Sequence, residues 1–188
     1  METARAMRSQ CVVSGIASSK RAENNQWRTQ QDNILATELE SLACRWIGIL
    51  LWYKGHTQES VKMFNTAAGN GSIVIFSTSA FQLNYIHDKK IACAFYDDLM
   101  RCYTQQYNAA IVLTQLSINE AERLWKKGKG ALIISKPMKE IYAYVQLART
   151  GYDRASKIIC EISRQVSNSK KMNIVLSRDV SEELKVLK

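Results

Sequence analysis

The sequence predicts an all-α protein built of stacked antiparallel helix pairs, three irregular pairs spanning residues 29–167. Three observations carry that prediction. One proline and 8 glycines in 188 residues are too few turn residues for a fold of many short strands. Apolar residues recur at three- and four-residue spacing through most of the chain. Short polar turns interrupt aliphatic or aromatic runs at three places, as in "LLWYKGHTQESVKMFNTAAG". With 46% hydrophobic and 23% charged residues, the chain is in the globular range and long enough for one domain with a core.

Residues 1–28 show no sustained period and mix Arg5, Arg8, Lys20 and Arg21 with small polar residues, which reads as a flexible basic arm. Glu2 and Glu23 argue against a mitochondrial presequence. The first helix is expected to start at Thr29-x-x-Asp32, which resembles a capping box. It buries Leu35, Leu39, Leu42, Trp46, Ile49 and Leu50 and ends at Gly55. Thr57 is placed to cap the second helix, with Val61, Phe64 and Ala68 on one face and Gly69-Asn70-Gly71 at its end. Two helices joined by so short a turn lie antiparallel.

Residues 72–86 stay open between strand, loop and helix. A loop packed on helices is preferred, because a lone strand at Ile73–Phe76 would leave its ladder groups unpaired. Asp88 caps a third helix carrying Ile91, Phe95, Leu99 and Cys102, and a fourth carries Ala110, Leu113 and Leu116. Ser117-x-x-Glu120 reads as a capping box at which the fourth helix breaks and restarts through Ala121, Leu124 and Trp125. "KKGKG", Lys126 to Gly130, marks a boundary. Pro137 suits the first turn of a fifth helix with Ile141, Tyr142, Val145 and Ala148, and Gly151 punctuates before a sixth with Ala155, Ile158, Ile159 and Ile162. In the tail, 168–188, Val180, Leu184 and Leu187 permit one short helix.

The three turn regions, "GILLWYKGHTQESVKMFNTA", "DLMRCYTQQYNAAIVLTQLS" and "YVQLARTGYDRASKIICEI", resemble the tetratricopeptide repeat. In the first, Ile47-Gly48 and Leu51, then Ser60, Phe64 and Ala67, stand at the motif's offsets. In the third, Tyr142-Ala143, then Tyr152, Ala155, Ile159 and Ile162, do nearly as well, while the second keeps Tyr107 and Ala110 with Thr114 at a bulky position. Ser60, Ala110 and Ala155 lie 50 and 45 apart where the standard repeat is about 34 residues, so the units are irregular. An ordinary helical bundle with apolar stripes is the competing reading. In order, and with Glu120-Ala121-Glu122-Arg123-Leu124 after the second, the units over 35–165 resemble part of the meiotic crossover scaffold family, the helical-repeat member of the ZMM group. Those scaffolds are several times longer, so the resemblance implies a fragment or a short relative that binds protein partners. "MFNTAAG", Met63 to Gly69, is similar to a helix of Bro1 domains, a second resemblance that implies an endosomal sorting adaptor.

No catalytic, metal or cofactor signature is found, and the chain reads as a noncatalytic protein. His56 and His87 stand apart from any second ligand-type residue at helical spacing, and the adjacent Asp97 and Asp98 point to different sides of a helix. Gly69-x-Gly71 and Gly128-x-Gly130 lack the third glycine and preceding strand of a phosphate-cradling loop. Five scattered cysteines without a C-x-x-C pair suit reduced thiols in a nuclear or cytoplasmic protein that is not secreted. Nor is there an apolar run of the roughly 20 residues that cross a bilayer.

Net charge is +9, and Lys126, Lys127, Lys129, Lys136 and Lys139 gather around one linker as the candidate basic contact patch. Such a patch attracts nucleic acid without sequence preference, but no aromatics interleave with it, so a solubilising rim is preferred. The expected partner is a protein, seated on helices 34–53, 89–103 and 138–149; self-association is open.

Overall fold

The computed structural model describes residues 28–29, 31–69, 88–128 and 135–187, and every regular element among them is helical. They are α1 (31–53), α2 (Thr57–Ala67), α3 (Lys89–Gly128), α4 (Ser135–Lys171) and α5 (Arg178–Val186). Most of the expected basic arm, the 72–86 segment, Asn70-Gly71, His87 and Lys129 lie outside the described residues.

α1 ends in a Schellman turn: Gly55 takes φ 84°, the His56 amide donates to the Leu51 carbonyl and the Gly55 amide to that of Trp52. An L side chain there would be strained, so the glycine sets the stop. The cap of α2 differs from expectation. His56 is the N-cap residue and makes no side-chain cap bond, Thr57 is already helical, and His56 Nδ1 lies 3.1 Å from Glu59 Oε2. Asp88 caps α3 as expected, its Oδ1 accepting from the Lys90 amide at 2.8 Å.

The breaks expected after Tyr103, at Ser117 and at Gly151 do not occur. α3 runs unbroken for 40 residues and α4 for 37, so two of the three expected turns lie inside continuous helices. The physical reason is packing. Ser117 is fully buried, and a Cβ on Gly151 would come 2.4 Å from Thr114 Oγ1 and 2.9 Å from the Ala110 carbonyl oxygen. Gly151 is therefore where the two long helices touch, with Thr114 Oγ1 also 3.4 Å from the Ala148 carbonyl oxygen.

α3 and α4 form an antiparallel hairpin whose half away from the 128–135 tip holds the core of Phe95, Tyr96, Leu99, Met100, Tyr103, Leu113, Ala155 and Ile158. α1 runs beside α3 in the same direction. Near its start Gln31 donates to Asp98 at 2.7 Å and Glu38 lies 3.7 Å from Arg101, and near its end Trp52 meets Tyr144 edge-on at 5.7 Å. α2 folds back along α1 and reaches α4, where Arg154 donates to Asn65. At the other end α4 stops at Asn173, φ 53°, and the chain turns back to α3 through Ser177, whose amide donates to Asp97 Oδ1 at 2.9 Å. α5 is the short tail helix expected from Val180 and Leu184, capped by Ser177. Beyond Ser117 toward the far tip of the hairpin, Ala121 is the one buried residue of α3.

Candidate interaction surface

α1 is apolar on two sides, and the core takes the side that the sequence does not suggest. Its buried positions are Ile34, Ser41 and Gly48, seven residues apart. The small residues let α2 approach closely. Ser41 Oγ donates to the Ala67 carbonyl, Ser60 Oγ donates to the Gly48 carbonyl at 2.7 Å, and the Phe64 ring lies where a Gly48 Cβ would be 3.1 Å away. Gly48, Ser60, Phe64 and Ala67 in that contact are among the residues on which the expected resemblance to a tetratricopeptide unit rests.

The opposite side carries most of the apolar bulk and faces out. Leu39 is 64% exposed, Trp46 56%, Leu50 61% and Tyr53 77%, with Ile47 and the small Ala36 and Ala43 exposed beside them. Leu39, Trp46 and Leu50, expected in the core, are thus corrected to the surface. Burying a Leu or an aromatic ring is worth on the order of 1.5–3 kcal/mol, so covering a continuous exposed row would be favourable. Positions 36, 39, 43, 46, 50 and 53 alternate by three and four, the spacing of a coiled-coil seam. That spacing was the signal available in the sequence. Arg45 lies over the Trp46 ring at 5.9 Å, within cation–π range, and burial lowers its guanidinium pKa.

The other two expected partner-facing stretches diverge. Between residues 92 and 103 most side chains are buried in the core and serve folding, while Ile91, expected on the buried stripe, is 37% exposed. On α4, Met138, Tyr142, Val145 and Tyr152 are exposed, a second and less continuous row; Tyr142 and Val145 are corrected from core to surface, as is Trp125 on α3.

The candidate lysines among the described residues lie at the far tip of the hairpin. Lys126 and Lys127 occupy the last turn of α3, where cations complement the helix dipole, and both are exposed. Lys126 lies 3.9 Å from Glu122, Lys139 is exposed near the start of α4, Lys136 sits in that helix's first turn, and Lys129 is outside the described residues. The antiparallel packing of α3 and α4 brings these ends together, with exposed Trp125 next to Lys126 and exposed Tyr142 one turn from Lys139.

Several charged groups inside the bundle are tied to structure, while the buried Ser117 Oγ and Gln165 Oε1 find no hydrogen-bond partner among the described residues. Asp98 accepts from Gln31 and Arg101. Glu161 accepts from Arg164 at 2.9 Å, from Gln165 at 2.8 Å and from Tyr103 at 3.4 Å. Burial pushes the Glu161 carboxyl up, but hydrogen bonds from Arg164 and Gln165 outweigh it and hold it below its ordinary value. Burial raises the Tyr103 hydroxyl and pushes the Cys102 thiol up to about 12, so both keep their protons at neutral pH. Among the described residues no cluster of three or more His, Cys, Asp or Glu is placed to hold a metal, and no helix is long and apolar enough to cross a membrane. Comparison of the chain with protein-family models, with curated proteins and with solved structures yields no match.

Proposed function

We propose that this chain is a noncatalytic helical scaffold that binds protein through the outer face of α1. The carrying observation is the exposed row from Leu39 to Tyr53 on a helix whose other face is already committed to the core. A partner helix laid on that row would bury it in the helix-in-groove manner. The α1–α2 hairpin, closed by Phe64 over Gly48, supports reading the first unit alone as tetratricopeptide-like. The resemblance of the three units to the meiotic crossover scaffolds supports a nuclear setting in a meiotic chromosome complex.

A photo-reactive residue at position 50 of the full chain, used in meiotic cells, tests the reading. The expected product is a protein–protein adduct that Trp46→Glu abolishes. Adducts to endosomal sorting subunits would move the setting to the Bro1-like alternative. Recovery of DNA without protein, lost when Lys126, Lys127 and Lys139 become Gln, would replace the scaffold with a nucleic-acid binder.

A further inference from the structure

We propose that the occupant of the α1 outer face is a second copy of this chain, paired antiparallel across a two-fold axis midway between residues 43 and 46. This deepens the scaffold reading and rests on the same exposed row. The seam positions alternate in size: Ala36, Leu39, Ala43, Trp46, Leu50 and Tyr53. All six are exposed. When two such helices pair antiparallel about that axis, Ala36 of one copy faces Tyr53 of the other, Leu39 faces Leu50, and Ala43 faces Trp46. Every layer then joins an alanine to an aromatic ring or a leucine to a leucine, so the summed side-chain volume stays nearly even along the seam. Even filling is what close-packed interfaces require.

The parallel arrangement fails on the same arithmetic. It would set Ala36 on Ala36 and Ala43 on Ala43, leaving voids, and Trp46 on Trp46 and Tyr53 on Tyr53, overfilling the layers between. The flanks agree with the antiparallel choice. Glu40 of one copy faces Ile47 of the other and Lys54 faces Asn33, so no like charges meet across the seam. The surface is isologous, as two-fold dimers demand. Charge gives a further signature. Each copy carries +9, so the copies repel at long range and added salt tightens the dimer, whereas a complex with an acidic partner or with DNA loosens.

Sedimentation of the full chain over a concentration series, at low and high salt, tests the pairing. The expected result is a monomer–dimer equilibrium that strengthens with salt. Trp46→Glu should raise its dissociation constant at least about tenfold, with the circular dichroism unchanged because Trp46 faces out of the fold. Ala43→Trp sets Trp against Trp and weakens pairing, and the double exchange Ala43→Trp with Trp46→Ala restores it. Orientation is read by mixing Leu39→Cys chains with Leu50→Cys chains and mapping disulfide-linked peptides. A 39–50 link is expected and a 39–39 link is not, since those sites sit roughly 16 Å apart in the antiparallel pair. A monomer at every concentration, a dimer indifferent to Trp46→Glu, or a 39–39 link overturns the proposal. So does a monomeric wild type whose Trp46→Glu variant melts several degrees lower, because the cover would then be part of the same chain. A monomer that still photo-cross-links to another protein through α1 ends the self-pairing and leaves the scaffold reading standing; absence of both ends both.

Discussion

The two hairpins of this molecule solve helix contact differently. α1–α2 is short, turns on a glycine with positive φ, and closes by setting a phenylalanine ring over Gly48. α3–α4 is long and closes backbone to backbone at Gly151, where the nearest atoms include the Ala110 carbonyl oxygen. A ring on an 11-residue helix can slide; a carbonyl inside a 40-residue helix cannot. The same residue type therefore marks an adjustable contact in one hairpin and a rigid one in the other.

Substitutions sharpen that contrast. Phe64→Asp should be the most damaging, since it empties the α1–α2 contact and buries an unpaired charge. We expect a loss on the order of 4 kcal/mol, or roughly 10 °C in melting temperature for a chain of this size. Next comes Gly151→Ala. Its Cβ must displace backbone, so the expected loss is about 1–3 kcal/mol by urea denaturation even after the helix-propensity gain of about 1 kcal/mol. Gly48→Ala should change stability by less than about 1 kcal/mol, because the Phe64 ring can yield while alanine favours the helix. Equal losses at Gly48 and Gly151 would erase the distinction between the hairpins.

Acid offers a smaller effect. Glu161 has a folded pKa below its unfolded value, so its contribution is present above the ordinary glutamate range, about pH 4, and is lost as pH falls through the folded value. Glu38 runs the other way. Burial outweighs Arg101 and raises it, so what it contributes is present at low pH and lost as pH rises through the folded value. The long hairpin should thus weaken on acidification, and Glu161→Gln should flatten that limb of a pH–melting curve while Glu38→Gln, which removes an opposing contribution, should steepen it. Smallest of all, Trp46→Glu should shift the melting temperature of dilute monomer by no more than about 1–2 °C, since an exposed substitution costs within about 0.5 kcal/mol.

How far the sequence could be read follows from these contacts. Helical class, the stop at Gly55, the Asp88 cap and the short helix near Val180 were legible because each depends on local chemistry. The α3 continuity was not. Ser117 and Gly151 are residues that end helices when solvated and that permit close approach when buried, and only tertiary packing decides between the two. The buried face of α1 is not legible from periodicity for a related reason. Periodicity shows that positions 39, 46 and 50 share a side, but α2 approaches through the small residues at 41 and 48, so the core claimed that side and left the bulkier one outside. The basic cluster was visible as a cluster, and the antiparallel connection of α3 and α4 explains why lysines on both flanks of the linker converge.

The lengths of the helices have a mechanical consequence. α3 extends about 60 Å and α1 about 34 Å, and α1 begins level with Asp98 near the start of α3. Among the described residues, the hairpin past the Trp52–Tyr144 contact is a pair of helices in which α3 buries nothing beyond Ala121. Opening at that tip breaks few of the described apolar contacts, so amide hydrogen exchange should quicken along α3 from Leu113 toward Gly128, and along α4 from Ala155 back toward Ser135, while the turns around Leu99 and Ile158 exchange only on global unfolding. The lysine-bearing tip can therefore breathe, bend or be reshaped by a bound molecule while the body of the bundle stays closed.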